Sequence, residues 1–230
     1  MTVGRTSDAR FFVDSGAAII AMPNVLGATI AGEGSISRQP YLGETYEQAT
    51  IHSAGGGVNF STIYQNAAFE AVAALAASNP NTPTEFAVIC QPVPTNWHII
   101  PVSWPRASYD APPADVITRP WQLDRRAAGW YGLRVDDFSI SATGVIGNDL
   151  DAGMAFVAVT AIATRTRLAT SGNNITGHYD SGADGARTGI FGPLTVSGAD
   201  RDLTLTLTGG AGNVTGYVLS LGALEEVPDG

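Results

Sequence analysis

Between residues 58 and 123 the side-chain period changes once and then changes back. Val58, Phe60, Thr62 and Tyr64 fall on one face of an alternating run, with Asn59 and Ser61 opposite. That is the period of a half-buried strand. Asn66 then opens a helical period, in which Phe69, Val72, Ala73 and Ala76 recur at i, i+3, i+4 and i+7 until Asn79-Pro80 stops it. The spacing predicts a helix over 66–78 whose apolar stripe covers a sheet. β-patterned runs resume at 85–93 and 97–104, a Pro-rich loop fills 105–115, and a last run occupies 116–123. Proline cannot donate to a ladder, so Pro101 and Pro120 predict edge positions or bulges in their runs. One helix set into an otherwise all-β segment admits few layer architectures.

Upstream, 11–13 and 17–22 are short strand candidates around the turn signal Asp14-Ser15-Gly16, and 1–10 read as an arm. Residues 31–57 are mostly polar, show little periodicity and close on Gly55-Gly56-Gly57. A connection that long inside a compact domain is normally functional or disordered. It carries Tyr41, Leu42 and Tyr46, and apolar side chains of that size are seldom left on an idle loop. The expectation is a long loop that mediates binding or assembly.

The composition shifts near 135–137. Residues 1–135 hold 10 acids and 8 arginines, net −2, whereas 136–230 hold 11 acids and 4 arginines, net −7. Past the shift come short Thr/Ser/Val runs with glycine turns: 138–146, 154–167, 190–196, 203–208 and 214–221. Leu203, Leu205 and Leu207 alternate with threonines, a sandwich strand with one wet face. The pattern predicts a division into 1–136 and 137–230, the second a β-sandwich of immunoglobulin-like or jelly-roll type.

Catalytic and metal chemistry is hard to assemble from this chain. Its one cysteine, Cys90, lies in an apolar run and reads as a buried small hydrophobe, and a single cysteine forms no intramolecular disulfide. His52, His98 and His178 lie in separate contexts without two-ligand helical spacing. Residues 148–153 and 180–185 faintly resemble calcium loops, but Asp, Asn and Gly also dominate β-turns, and the turn reading is preferred. Trp97, Trp104, Trp121 and Trp130 are placed in sheet core or subunit interface, not in a ligand platform. Every basic residue is arginine and the net charge is −9, a poor footing for gripping nucleic acid through its phosphates. No early stretch approaches the ~20 apolar residues a membrane helix needs, and no signal-peptide pattern is visible, which predicts folding in a cytoplasm. The expectation is a non-enzymatic protein with no cofactor.

The order of long loop, strand, helix, two strands, Pro-rich loop and strand resembles the tail tube proteins of long-tailed, siphovirus-like bacteriophages. Four pieces carry the resemblance: Tyr41-Leu42-Gly43-Glu44; 58–64 running into 67–77; 85–93 with 97–104; and Asp115-Val116-Ile117-Thr118-Arg119. It implies a mainly β fold, a tail-tube-like barrel or sandwich with one flanking α-helix, plus the C-terminal sandwich as a decoration domain. It also implies a virion protein assembled in the host cytoplasm, forming stacked, hexameric rings through which DNA passes without specific binding. The partners it implies are other copies of the chain and terminator, tape measure and tail tip proteins. Tyr41, Leu42, Glu44 and Tyr46 would then serve ring stacking. Phe60, Tyr64, Trp97, Trp104, Arg119 and Trp121 would lie on core or intersubunit strands, and Phe69, Val72, Ala73 and Ala76 on the packing face of the helix. The alternative from another class is a decoration or adhesion sandwich that binds a capsid surface or glycan.

Overall fold

The computed structural model describes residues 10–14, 18–22, 25–39, 48–63, 85–91, 96–107, 118–125, 129–182 and 185–222. Almost all of them are β. In chain order the strands are β1 (Arg10–Asp14), β2 (Ile19–Ala21), β3 (Val25–Gln39), β4 (Gln48–Ile63), β5 (Glu85–Gln91), β6 (Trp97–Ala107), β7 (Thr118–Arg125) and β8 (Trp130–Gly132). They continue as β9 (Arg134–Ile140), β10 (Gly144–Gly147), β11 (Gly153–Ile162), β12 (Arg167–Ser171), β13 (Ile175–Thr176), β14 (Gly189–Val196), β15 (Leu203–Thr208) and β16 (Val214–Ser220). The fold is mainly β with open sheets, as the residue pattern requires. The helix expected over 66–78 lies outside the described residues. By contacts the chain forms two compact units: one takes the residues before 22, those at 86–100 and those from 129 onward, the other 22–85 and 101–128.

The first unit contains a two-sheet sandwich. One sheet runs β13-β14-β11-β16-β9, the other β10-β15-β12. Between them Ala155, Val157 and Val159 meet Leu168, Leu194, Leu203, Leu205 and Val218 in a buried core. Burying each larger aliphatic side chain contributes about 1.5–3 kcal/mol. The opposite face of β11 is buried too. Phe156 and Ala158 pack with Leu219 against Phe12, Ile19, Trp97 and Ile99. A strand covered on both faces needs no polar alternation, which is why 154–159 reads as one apolar run. In β15, by contrast, Leu203 and Leu205 are buried and Thr204 and Thr206 are half-exposed, so the alternation is visible in the sequence.

Trp97 centres this second layer. It is fully buried, its Nε1–H donates to the Ser220 carbonyl at 2.8 Å, and its ring meets Phe156 edge-on at 5.7 Å. β8 passes close above it, and only a glycine fits there. A Cβ at Gly132 would stand 2.6 Å from the Trp97 indole. Asp14, also buried, accepts the Ile190 N–H at 2.7 Å, and the Ile19 N–H donates to Thr188 Oγ1 at 3.1 Å. These bonds hold β1 and β2 against the start of β14.

Two runs read as single strands are each divided. Residues 138–146 break at 141–143 into β9 and β10, which belong to different sheets, and 154–167 become β11 and the first residue of β12. Both connections are anchored by Arg165. Its guanidinium donates to the carbonyls of Ser141 (2.5 Å), Gly209 (3.2 Å), Gly210 (3.1 Å) and Gly212 (2.7 Å). Gly209 and Gly210, at φ 67° and 66°, let the β15–β16 turn direct its carbonyls inward.

In the second unit β3 and β4 form a long antiparallel hairpin, and β7 pairs with the base of β4. Directly opposed across β4 and β7 are Phe60 and Trp121, both buried, with rings stacked at 5.9 Å and 9°. Val58 opposes Leu123 in the same way, and Asn59 is exposed, as the alternation from Val58 predicts. Pro101 falls where β6 changes partner, from β8 at residues 97–99 to β7 at 102. Pro120 lies opposite Ser61 of β4, and among the described residues the β6–β7 pairs end at Ala107↔Trp121.

Candidate functional site

The stretch expected to be a long loop, 31–57, is not one. Residues 31–39 and 48–57 are strand, paired from Ala31↔Gly57 to Gln39↔Gln48 with a one-residue register shift between Gly34 and Ser35, and only 40–47 between them lie outside the described residues. An antiparallel ladder is held by backbone hydrogen bonds and needs no apolar face. A polar, glycine-rich sequence can therefore adopt it without announcing it.

The hairpin has two parts. Fourteen positions pair between β3 and β4, but β7 backs β4 only from Gly57 to Ile63. The remaining eight pairs, from Gly32↔Gly56 outward, have no third strand among the described residues. At ~3.3 Å per residue, β4 continues for about 30 Å past its last pair with β7. The junction between backed and unbacked parts is where Gly55, Gly56 and Gly57 oppose Glu33, Gly32 and Ala31. Glycine there supplies no cross-strand packing and loses more freedom on ordering than any other residue. Among the described residues β3 is the terminal strand of its sheet. An edge strand presents the N–H and C=O of alternate residues, about seven residues' worth in a strand this long, to whatever comes alongside.

Of the residues singled out in the sequence, Phe60 and Trp121 meet in the core of one unit and Trp97 is buried in the other. Tyr41, Leu42, Glu44, Tyr46, Tyr64 and the helix residues Phe69, Val72, Ala73 and Ala76 lie outside the described residues. Trp104 and Arg119 are on β6 and β7, and their side chains lie outside what is described. The glycines at the hairpin junction are the positions a sequence reading misses. Their only signal, Gly55-Gly56-Gly57, looks the same in a loop.

The two calcium-like segments are neutralised by arginines. Asp149 pairs with Arg201 at 3.0 Å, and Asp151 lies 3.6 Å from Arg134. Asp180 receives Arg167 side-on, with Nε to Oδ1 at 2.7 Å, and also accepts the Gly182 N–H at 2.9 Å, which makes it a turn residue. The Arg167 hydrogen bond, with that N–H behind it, lowers the Asp180 carboxyl to about 2. Arg167 is raised in return, first by the same bond and then by the opposite charge. Burial lowers His98, whose ring lies 4.8 Å from Tyr131. Among the described residues no group of three His, Cys, Asp or Glu converges as a metal site, and no helix is long and apolar enough to cross a membrane.

No protein-family model matches this sequence, and no curated protein does. Solved structures that match include a chain from the virion of a native gene transfer agent particle, at TM-score 0.42 and 10% identity, covering 56% of this chain and 98% of that one. The Dit protein (gp 19.1) of phage SPP1, described as a hub adsorption apparatus of phages infecting Gram-positive hosts, matches at TM-score 0.34 and 10% identity over 91% of this chain and 98% of its own. A chain of the phage p2 baseplate in its activated conformation matches at 0.35 and 6% identity, over 91% and 97%. At 6–10% identity none of the residues above takes a role from these chains.

Proposed function

We propose that this chain is a non-catalytic virion protein that oligomerises into stacked, hexameric rings of a phage tail tube, a conduit for DNA. The observation that carries the reading is the hairpin. Eight of its fourteen pairs have no third strand among the described residues, and an isolated two-stranded ribbon is at best marginally stable in water. Such an arm gains its stability from a neighbour. In a homo-oligomer the same arm and the same acceptor recur in every subunit, which closes rings or stacks them. The open edge of β3 offers the matching backbone groups.

In this reading 40–47, with Tyr41, Leu42, Glu44 and Tyr46, form the tip that reaches the next ring. Residues 1–136 supply the tube body and 137–230 the outer decoration. Phe156, Ala158 and Leu219 pack against Phe12, Ile19, Trp97 and Ile99 within one compact unit. The partners are other copies of the chain and terminator, tape measure and tail tip proteins, with DNA passing unbound. The reading would put the chain with the tail, hub and baseplate components named above.

The test replaces residues 35–53 with Asn-Gly, a two-residue turn that closes the paired positions Gly34 and Ala54. The parent protein should form six-fold rings or tubes in negative-stain micrographs, and the shortened one should stay monomeric with its β circular dichroism intact. A shortened protein that still polymerises removes the arm from the mechanism. A parent that remains monomeric at high concentration removes the tube reading itself.

A further inference from the structure

We propose that the outer face of the β10-β15-β12 sheet binds a neutral saccharide through its hydroxyl groups, independently of ring formation. Val145, Thr204 and Ser171 stand side by side across the three strands and form the floor. They face away from the core because Leu203 and Leu205, their neighbours in the alternation, are buried. Asn173, His178, Asp200 and Asp202 wall a groove of about 580 Å³ over that floor, within the range of small-ligand sites. At Gly172 a side chain would run into the Asp202 carbonyl, so glycine lets the two walls approach.

The chemistry of the walls selects the ligand. Three other acids in this unit are matched by arginines: Asp136 by Arg134, Asp149 by Arg201, Asp180 by Arg167. Asp200 and Asp202 accept only from neutral donors, the Asn173 amide at 2.8 Å and the Asp149 N–H at 2.8 Å. Each is thereby held in place through one oxygen, while its second oxygen has no protein partner among the described residues. His178, whose Nδ1 lies 3.4 Å from Thr170 Oγ1, adds an imidazole to the lining. The hydroxyls of Ser171 and Thr204 complete an acceptor-rich set. No arginine lines the groove, so a phosphate, sulfate or uronate would meet fixed carboxylates without a counter-charge. A metal ion lacks three converging ligands. A neutral hexose fits both sides of this surface. Its O–H groups donate to the carboxylates, and its C–H face lies against Val145, which is 46% exposed.

Saturation-transfer difference NMR on the full chain reads this directly and tolerates any assembly state. Glucose, galactose, mannose, N-acetylglucosamine and glucose 6-phosphate would each be offered at about 10 mM, suited to millimolar affinity. At least one neutral sugar should show transfer and the phosphorylated sugar none. Thr204→Arg, which fills the floor, should abolish the signal. Asp200→Asn with Asp202→Asn keeps the wall acceptors but removes the charge, and should weaken binding about ten- to a hundredfold. Should Thr204→Arg fail to fold, the double Asn variant decides. No transfer to any neutral sugar, transfer that survives both variants, or stronger binding of the phosphorylated sugar would each overturn the proposal, whatever the micrographs show about rings.

Discussion

Replacing Trp97 with phenylalanine tests whether residues 97–100 and the sandwich fold as one unit. The indole is fully buried, and its N–H is given to the carbonyl of Ser220, itself fully buried. Phenylalanine keeps part of the contact with Phe156 but loses the second ring and the donor. The volume left beneath Gly132 would be only partly closed by relaxation, because the ring is wedged between two strands. Truncation of this kind costs about 2 kcal/mol in lost packing. Leaving a buried carbonyl short of a donor costs a further ~1–2 kcal/mol. The sum, about 3–4 kcal/mol, corresponds to a fall of roughly 6–16 °C in Tm for a chain of this size. Urea unfolding followed by far-UV circular dichroism should show the midpoint falling with an unchanged slope. Trp130→Phe, at a half-buried ring 5.1 Å from Phe156, is the internal comparison and should cost only about 1 kcal/mol. If Trp97→Phe cost under ~1 kcal/mol, or affected a minor transition alone, the indole would not be joining these segments.

Other outcomes follow from neighbouring geometry. Gly132→Ala places a Cβ 2.6 Å from the Trp97 indole and should destabilise by about 2–3 kcal/mol; Trp97→Phe in the same chain should recover part of that loss, as a double-mutant cycle in urea would register. Arg165→Ala removes donors from four carbonyls and should cost about 2 kcal/mol, with faster amide exchange at 141–143 and 209–213 but not in β11. Asp180 is depressed from 3.8 to about 2, so its folded form binds protons less readily than its unfolded form. Its contribution is complete above pH ~4 and is lost as pH falls through about 2. Titration of its carboxyl carbon by NMR should give a midpoint near 2, moving up toward the ordinary value in Arg167→Ala.

How much of this was legible depended on where each residue finds its partner. The register of Val58 and Phe60, and the inward leucines of β15, could be read because one face is buried and the other wet. The apolar run at 154–159 marked a strand, but nothing local said that its second face is covered by Phe12 and Trp97, 144 and 59 residues away from Phe156 along the chain. The break at 141–143 was hidden because Ser141, Ala142 and Thr143 suit a strand as well as a turn. Arg165 was invisible for another reason: its partners are carbonyls, which every residue carries. The groove over β10, β12 and β15 is walled by Asn, Asp and His, residues that turns use anyway, so only their convergence distinguishes them.

The hairpin is the most instructive miss, because the cause bears on function. A strand shows period 2 when one of its faces is buried in its own subunit. From residue 31 to 39 and from 48 to 56 no such signal exists, yet the two strands pair along their whole length with one register shift, at Gly34/Ser35. Alternation returns at Val58, within the stretch where β7 backs β4 and Phe60 meets Trp121. The loss of pattern and the loss of the third strand therefore coincide, both at Gly55–57. Beyond that point no third strand backs the hairpin among the described residues, and in the reading proposed here the arm's contacts lie on another molecule. An assembly arm and an idle loop look alike in sequence for this reason. They part company when 35–53 are replaced by a tight turn: an idle loop leaves assembly unchanged, and an assembly arm takes it away while the subunit stays folded.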